Sequence, residues 1–331
     1  MLIREQFLNP KIFERDVEEE PIRKGFGVGL LEVGERDANV VGLCADLTES
    51  TQMYLFADKF PERFFDVGVA EQNLVTVASG LAYMGKIPFC SSYAMFSPGR
   101  NWEQIRTTIC YNNVPVKIVG SHAGVSVGPD GGTHQAIEDI ALMRVLPRMV
   151  VVAPCDSVEA KKATLALAKN GAPSYLRLAR EKTPVVTTLE SPFEIGKANL
   201  LWDAVVPEVA IIACGALVHN ALLAASELMH QGSSVLVLNL HTIKPMDEKA
   251  VIEVAGRAGA VLTVEEHQIA GGMGGAVAEV LARNHPVPIE FVGVEDKFGE
   301  SGEPKALLEH FGMGVKNIMD KVLKVISRKH K

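Results

Sequence analysis

Short apolar runs alternate with helix-forming patterns along almost the whole of this 331-residue chain. The runs are continuous and rich in β-branched residues, as in parallel strands that helices cover on both faces. In the first half, the predicted strands are 39–44, 64–69, 87–91, 115–120, 149–153 and 174–178, and the predicted helices are 21–35, 71–84, 99–111, 136–144 and 157–169. This half therefore predicts a parallel sheet between two layers of helices.

The alternation stops at residues 180–199, where prolines, threonines and serines predict a linker. It then resumes with predicted strands at 209–213, 234–238, 259–264 and 289–292, and predicted helices at 217–230, 247–255, 272–283, 304–311 and 315–328. The sequence therefore predicts an α/β protein with two doubly wound domains, residues 1–190 and 191–331, as the chain length allows. The basic end, residues 328–331, is expected to be a frayed helix terminus.

The composition narrows the class of protein. An apolar fraction of 47% and a charged fraction of 22% are typical of a globular protein with a sizeable core. A net charge of -7 argues against nucleic acid as the main partner. The five cysteines are widely spaced without a C-x-x-C pair, which predicts reduced thiols. Residues 1–20 do not resemble a signal peptide, and no apolar run approaches the ~18 residues of a membrane span. We therefore expect a cytoplasmic protein that does not enter a membrane.

The stretch Asp66-Val-Gly-Val-Ala-Glu71-Gln-Asn73 joins a predicted strand to an apolar-periodic helix. Glu71 then lies on the first turn of that helix, at the strand end where α/β sheets open their ligand crevices. Taken alone, Glu71 is a helix-start carboxylate that complements the helix dipole by roughly a few tenths of a kcal/mol. The segments downstream favour a functional role instead.

A second segment, Gly120 to Gln135, carries five glycines, two histidines and one aspartate between a predicted strand and a predicted helix. A long glycine-rich loop in a compact domain usually lines a site. His122 and His134 can donate to phosphate or hydroxyl oxygens and move protons near neutral pH, and Asp130 can bind a sugar hydroxyl. A Pro-Asp-Gly turn with structural histidines is the alternative, but the combination on one loop favours function.

Three weaker segments also follow predicted strands. Asp46 and Ser50 come after the first strand, Tyr93 and Phe96 after the third, and Arg180 after the sixth. Each type has an ordinary explanation, as a turn residue, a core aromatic pair or a solvated arginine. Because the carboxyl ends of parallel strands meet at one edge, we expect all of them to border one crevice.

A glycine-rich turn at residues 271–275 precedes a predicted helix in the second half. Such a turn can cradle an anion. Without the full dinucleotide fingerprint, it is better explained as a tight turn with close helix packing, and His267 beside it as structural. No cluster has metal-ligand spacing, so no metal site is predicted in this chain.

Taken in order, these segments resemble the C-terminal half of the transketolase family. The motifs Asp-Val-Gly-Val-Ala-Glu-Gln, at 66–72, and Gly-Pro-Asp-Gly-Gly-Thr-His-Gln, at 128–135, are specific in combination. The similarity covers nearly the whole chain and includes a thiamine diphosphate pyrimidine-binding domain and the C-terminal domain that follows it. It implies a transferase of carbohydrate metabolism, in the pentose phosphate pathway, that moves a two-carbon ketol unit from a ketose phosphate to an aldose phosphate.

The resemblance implies how the cofactor would be held. Glu71 would bond the ring nitrogen of the aminopyrimidine and so help to activate thiamine diphosphate, which needs a carboxyl group in a dry site. Phe96 would stack on the pyrimidine ring with Tyr93 beside it. Asp46 would lie near the same ring and near the dimer contact.

The resemblance also implies a substrate site. Asp130 and His134 would contact the hydroxyl and carbonyl oxygens of the sugar, and both loop histidines would join Glu71 as catalytic residues. Arginine suits a phosphate through its planar donors. The substrate phosphate would be held by Arg23, Ser50, His122 and Arg180.

Three features depart from the family pattern. Tyr93 stands where many transketolases have Phe, which keeps an aromatic edge. Pro129 stands where an acidic residue often precedes the loop aspartate, which is expected to stiffen the loop and shift acceptor preference. The sequence also lacks Gly-Asp-Gly, with which the N-terminal domain of the family holds the diphosphate through a metal ion. We therefore predict a split enzyme, in which a separate N-terminal subunit holds Mg or Ca and this chain forms a dimer within a heterotetramer.

Two other interpretations stay open. The chain also resembles 1-deoxyxylulose-5-phosphate synthase and the beta subunit of two-oxoacid dehydrogenases, which decarboxylate a 2-oxo acid. The dehydrogenase subunit would need no sugar-phosphate residues, so the set around His122 favours transketolase. A catalytically silent assembly subunit is the third interpretation, and retention of Glu71 with both loop histidines argues against it.

Overall fold

The computed structural model describes residues 2–3 and 7–329. The strands along these residues are β1 (Leu2–Ile3), β2 (Glu19–Pro21), β3 (Val40–Cys44), β4 (Phe64–Asp66), β5 (Ile87–Tyr93), β6 (Lys117–Ser121), β7 (Val150–Val152), β8 (Ser174–Arg177), β9 (Lys182–Pro184), β10 (Asn199–Asp203), β11 (Val209–Ala213), β12 (Val235–Asn239), β13 (Thr242–Lys244), β14 (Val261–Gln268) and β15 (Ile289–Val294). The helices are α1 (Ile22–Arg36), α2 (Tyr54–Lys59), α3 (Glu71–Tyr83), α4 (Trp102–Gln104), α5 (Asp139–Arg144), α6 (Ser157–Lys169), α7 (Leu217–His230), α8 (Glu248–Ala258), α9 (Met273–Asn284), α10 (Pro304–His310) and α11 (Val315–Lys329). A π-helical segment, Ile105–Tyr111, continues α4, and 3-10 turns lie at Pro61–Arg63 and Val125–Asp130.

The first sheet has the strand order β13-β7-β8-β6-β5-β3-β4. Six of its strands are parallel, and β13 runs antiparallel to β7. Both faces are buried, because successive residues of one strand enter different apolar clusters. Val40 packs in the cluster that contains α1 and α6, whereas Val41 packs in the cluster that contains α3. The predicted parallel sheet between two layers of helices is confirmed.

The second sheet has the strand order β1-β10-β12-β11-β14-β15. Four neighbouring strands of this sheet, β12, β11, β14 and β15, are parallel. Strands β10 and β1 add antiparallel pairs at one edge. Residues of α7 and α11 share one buried cluster with this sheet, and residues of α8 and α9 share another. Two α/β units in sequence are therefore confirmed as the fold class.

The two sheets are joined more closely than a linker would require. Strand β13 comes from the second half of the chain but completes the first sheet, and β1 comes from the start of the chain but pairs with the second sheet. One apolar cluster continues from α3 and the first sheet to α8 and α9. This shared core packs the second unit against the first.

Two segments are more regular in the structure than their sequence pattern indicated. Within the predicted linker, β9 pairs antiparallel with β2, so long-range pairing orders a segment whose local pattern is irregular. The chain end is also ordered as far as the structure describes it: Arg328 Nη1 donates to Ile289 O at 2.6 Å and Lys329 Nζ to Glu208 O at 2.9 Å. The rest of the predicted frayed terminus, residues 330–331, lies outside the described residues.

All five cysteines are free and buried, as expected of reduced thiols. Among the helices of the described ranges, none combines the length and apolarity needed to cross a membrane.

A buried polar cluster ties the start of α6 to both units. Asp156 accepts from the backbone N–H of Glu159 at 2.7 Å and of Val186 at 2.8 Å. Glu159 accepts from Cys155 N at 2.7 Å and from Asn239 Nδ2 at 2.8 Å, which reaches across from β12. Burial, with the nearby Asp156 charge, raises the pKa of Glu159 to about 7.

The raised pKa of Glu159 predicts a pH-dependent stability. An unfolded carboxyl ionises near 4.5, whereas folded Glu159 keeps its proton to about 7. Between these values the folded state binds the extra proton, so the free energy of unfolding falls as pH rises through this window. Glu159→Gln should remove this slope, and the variant should gain stability relative to the native chain between about pH 5 and pH 7.5. Urea unfolding at both pH values measures the difference, and an equal difference at both would contradict the prediction.

Candidate active site

Five parallel strands of the first sheet end beside residues that the sequence singled out. Asp46 follows β3, Glu71 follows β4, Tyr93 ends β5, His122 follows β6, and Arg180 follows β8. Arg23 lies in the first turn of α1. The expectation that these residues share one edge of the sheet therefore holds in the structure.

Glu71 begins α3 and is only 1% exposed. Its Oε2 accepts from Arg100 Nη1 at 2.6 Å, and its Oε1 accepts a long hydrogen bond from Ser92 Oγ at 3.4 Å. Asn101 Nδ2 donates to the backbone carbonyl of Glu71 at 2.8 Å. A buried carboxylate is costly unless it is paired, so Arg100 is the group that stabilises Glu71 in this chain.

Sequence reasoning missed Arg100. Its guanidinium also lies over the Phe96 ring, 4.9 Å from the centroid, and its side chain stays about half exposed at 49%. Arg100 therefore covers the carboxylate and the aromatic ring that were both predicted to hold the cofactor. The only signal was a cation four residues after Phe96, which in a predicted helix is usually a solvated group.

His122 is buried and has a left-handed backbone with φ of 56°, which is uncommon for a residue with a side chain and often marks a functional position. Its Nδ1 lies 2.8 Å from Ser121 Oγ, and its Nε2 lies 3.5 Å from Arg23 Nη1. Because a guanidinium only donates, Nε2 must be the acceptor and Nδ1 carries the proton.

The pKa of His122 is lowered to about 3, first by burial and then by the charges of Arg23, Arg180 and His134. In this form the imidazole is neutral at physiological pH. This lowered pKa belongs to the ligand-free chain, and a role of His122 in moving protons stays a prediction.

Backbone carbonyls hold the two arginines beside His122. Arg23 Nε donates to Arg180 O at 3.2 Å, and Arg23 Nη1 donates to Ser50 O in a short hydrogen bond. Arg180 Nη1 donates to Val127 O at 2.7 Å on the glycine-rich loop. The structure thus gathers Arg23, Ser50, His122 and Arg180, although Ser50 takes part through its carbonyl.

Tyr93 joins the aromatic and histidine groups. Its ring stacks on His122 with centroids 3.8 Å apart, and on Phe96 with centroids 6.1 Å apart. His134 contacts both Tyr93 and Phe96 edge-on, at 6.4 and 5.4 Å. Tyr93 and Phe96, for which a core position was the alternative, are therefore a half-buried aromatic pair between the two loop histidines.

Asp46 and Asp130 stand apart from this cluster. Both are exposed, and in the described part of the chain no hydrogen bond, ion pair or ring contact joins either carboxylate to it. Asp46 has a φ of 57°, and its backbone N–H donates to Asp66 Oδ1 at 3.0 Å. The structure brings their backbones to the correct edge and leaves both side chains open.

The glycine-rich turn before α9 is not an anion site. Glu265 occupies the helix N-terminus and accepts from Met273 N at 2.6 Å and from Gly274 N at 2.7 Å. A Cβ at Gly272 would overlap that carboxylate. His267 is buried and accepts from Ala141 N at 3.4 Å. The interpretations of a tight turn and a structural histidine both agree with these contacts.

Two family models match the chain. The transketolase pyrimidine binding domain matches residues 19–185, and the transketolase C-terminal domain matches residues 196–318. The chain belongs to the transketolase family. The candidate site lies in the pyrimidine-binding domain, and the second sheet forms the C-terminal domain.

Individual transketolase relatives match almost end to end. A Methanocaldococcus jannaschii protein named "putative transketolase C-terminal section" is 43% identical over 310 residues, 93% of this chain and 96% of that protein. The 6-deoxy-6-sulfo-D-fructose transketolase subunit of Clostridium sp. (strain MSTE9) is 41% identical over 318 residues, 96% of this chain and 98% of that protein. A solved structure described as a split gene transketolase, inactive beta4 tetramer, has a TM-score of 0.87 at 43% identity and covers 93% of this chain and 99% of that chain.

The transketolase family depends on thiamine diphosphate, and the residues present fit one half of that molecule. A buried carboxylate beside an aromatic platform, Glu71 with Phe96 and Tyr93, suits a flat ring that carries a nitrogen donor. The described residues contain no group of His, Cys, Asp or Glu that could hold a metal ion.

The contacts of His122 predict its titration in the isolated chain. Imidazole NMR of a histidine-labelled sample should show the Nδ1–H tautomer persisting well below pH 6, because burial and two cations oppose protonation. Arg23→Gln should raise the pKa of His122 by removing one cation. Arg36→Gln, an exposed arginine at the far end of α1, is the matched control and should leave the titration unchanged. A native pKa near 6.5 would contradict this account.

Proposed function

We propose that this chain is the C-terminal subunit of a split transketolase, with residues 1–190 as its pyrimidine-binding domain and residues 191–331 as its C-terminal domain. With a separate N-terminal subunit it transfers a two-carbon ketol unit from a ketose phosphate to an aldose phosphate. This proposal depends on the buried Glu71, which lies at the same sheet edge as the cluster of Arg23, His122 and Arg180. The family models that match the chain are the pyrimidine binding domain and the C-terminal domain, the C-terminal half of the family pattern.

Two findings support the need for a partner. The site has an open edge on the described residues, because Asp46 and Asp130 are exposed and the Arg100 side chain is about half exposed at 49%, so another chain can close it there. The related split gene enzyme is described as an inactive beta4 tetramer, which agrees with a chain that needs a second subunit. That subunit holds the diphosphate through a divalent metal, Mg or Ca.

Self-association also belongs to this proposal. Val77 and Tyr83 of α3, Val69 just before it and Met84 just after it are exposed, and a Cβ at Gly80 of the same helix would meet open space. An apolar patch of this kind on one helix marks a protein–protein contact. A second copy of this chain packs there, as the dimer within a heterotetramer, with Asp46 near the contact.

Each residue on the cofactor side has a physical role. When bound, thiamine diphosphate supplies a thiazolium carbon that can lose a proton and carry the two-carbon unit. Glu71 holds the proton shared with the pyrimidine ring nitrogen at its carboxylate. Phe96 and Tyr93 orient the ring by stacking, and Arg100 must release Glu71 for this contact to form.

The substrate side is built for an anionic sugar. Arg23, His122 and Arg180 lie together at the strand ends, with Ser50 beside them. These residues bind the phosphate of the substrate. Asp130 and His134, on the same loop, bind the hydroxyl and carbonyl oxygens near the reacting carbons. The similarity to a 6-deoxy-6-sulfo-D-fructose transketolase subunit adds a sulfonate to the phosphate as an anion of fitting size.

Affinity purification of the tagged chain from its native host tests the proposal. We expect a stoichiometric partner that carries Gly-Asp-Gly, identified by mass spectrometry, together with bound thiamine diphosphate. The complex should use xylulose 5-phosphate and reject pyruvate, whereas a two-oxoacid enzyme would show the reverse preference. A chain that alone binds the cofactor tightly and turns over ketose phosphates would overturn the split assignment, and a complex without cofactor would favour a silent subunit.

The assembled enzyme provides a test of Glu71. Glu71→Gln should lower turnover by at least ~100-fold, the usual scale for an essential proton-transfer group, because the amide cannot hold the proton. Folding and partner binding, followed by circular dichroism and gel filtration, should persist. Glu103→Gln, an exposed residue of α4, serves as the control and should retain turnover. Native turnover in Glu71→Gln would remove Glu71 from the catalytic role.

A further inference from the structure

The glycine-rich loop, residues 120–135, is hydrogen-bonded to the C-terminal domain through one side chain of that domain and one side chain of the loop. Glu266, which lies near the end of β14, accepts from Ser126 N at 2.6 Å, 140 residues away in sequence. In the opposite direction, Gln135 Nε2 donates to Glu300 O at 2.8 Å and also to Val125 O at 2.9 Å. The loop that carries both site histidines is therefore fixed by the other domain.

The close approach of the C-terminal domain also explains why several residues of this loop are glycines. A Cβ at Gly124, where φ is 92°, would overlap the Glu266 carboxylate. A Cβ at Gly131 would meet Ser301, and one at Gly132 would meet the carbonyl of Gly299. The sequence indicated a loop opened for a ligand, but much of its glycine content lets the protein's own C-terminal domain approach the backbone.

Glu266 is itself held in place by buried charge. Arg177 Nη2 donates to Glu266 O at 2.8 Å and to Ala136 O at 3.3 Å, and Arg177 Nε donates to Asp139 Oδ2 at 2.8 Å. The Glu266 side chain is buried, which raises its pKa, although the Arg177 charge and the Ser126 N–H oppose that shift. Since Ser126 and Glu266 are both buried, the Ser126 N–H has no ready substitute for the Glu266 oxygen.

The contact reaches the candidate anion site within one residue. The carbonyl of Val127, next to Ser126, accepts from Arg180 Nη1 at 2.7 Å. The carbonyl of Arg180 in turn accepts from Arg23 Nε at 3.2 Å. A shift of the loop at Ser126 therefore displaces the partner of Arg180 and the surroundings of His122.

We propose that Glu266 is a positioning residue, through which the C-terminal domain sets the shape of the substrate loop. It acts on Ser126 N, so that Arg180 and His122 keep their places, and it touches neither substrate nor cofactor. The effect on substrate rests on the proposed transketolase function, whereas the effect on loop order does not.

Amide hydrogen exchange on the full chain tests the structural part. In Glu266→Ala, peptides covering residues 121–135 should exchange faster by about tenfold or more, the scale of a lost charge-assisted hydrogen bond. Glu266→Gln keeps an oxygen for Ser126 N and should restore most of the protection. The matched control is Glu265→Ala, equally buried on the same strand but bonded only to α9, which should speed exchange at residues 273–284 instead.

Steady-state kinetics of the assembled enzyme test the functional part. Glu266→Ala should raise the KM for phosphorylated donors by about tenfold more than for unphosphorylated donors, because the anion site loosens, and Glu266→Gln should rescue it. Unchanged loop exchange in Glu266→Ala, or equal loop exchange in Glu265→Ala, overturns the proposal. Loop exchange that rises as expected in a complex without ketol transfer would leave Glu266 as the loop anchor and would sink the proposed function instead.

Discussion

Parallel strands that all end at one edge of a sheet are the constraint on which the rest of this structure depends. The connections between β3, β4, β5, β6 and β8 each bring the next strand back in the same direction, so five chain segments that are far apart in sequence end at one edge of the sheet. Buried apolar side chains on both faces fix each strand. The polar residues at the strand ends then require no special folding of their own, and a carboxylate, aromatic rings, histidines and arginines can be collected there.

Buried charge fixes how the two domains meet. Asp139 pairs with Arg177, whose other nitrogen bonds the backbone of Glu266, and the Glu266 carboxylate bonds the loop at Ser126. A buried carboxylate that loses its partner costs several kcal/mol, on the order of 3–5, so a relative slip of the domains is strongly opposed. Apolar packing alone would tolerate more sliding, because it has no direction. The polar contacts therefore favour one relative position of the two domains. Because Glu266 bonds Ser126, that position also fixes the glycine-rich loop.

Periodicity predicted most strands and helices because each is determined by its own side chains. Helix α7 and strand β11 were placed correctly to the residue, since an apolar stripe or run defines them locally. The pairing of β9 with β2 and the entry of β13 into the first sheet depend on partners far along the chain. Glu266 was missed for the same reason, as it resembles the end of an apolar run and its partner is 140 residues away. Arg100 was missed because only the folded chain shows the buried carboxylate that it neutralises.

The protonation of His122 shows why the site suits an anion. Two guanidinium groups lie beside a neutral imidazole whose Nε2 accepts, and in the ligand-free chain Glu181 offsets part of this positive charge through an ion pair with Arg180 at 3.1 Å. Burial is the main cause of the lowered His122 pKa, and an entering dianion would pair with the arginines and remove the repulsion that lowers it further. His122 could then gain a proton and become a third donor to the same group. The favourable change in protonation is available to phosphate but much less to a neutral sugar, so under the proposed function the site would select its substrate by charge before it contacts any hydroxyl.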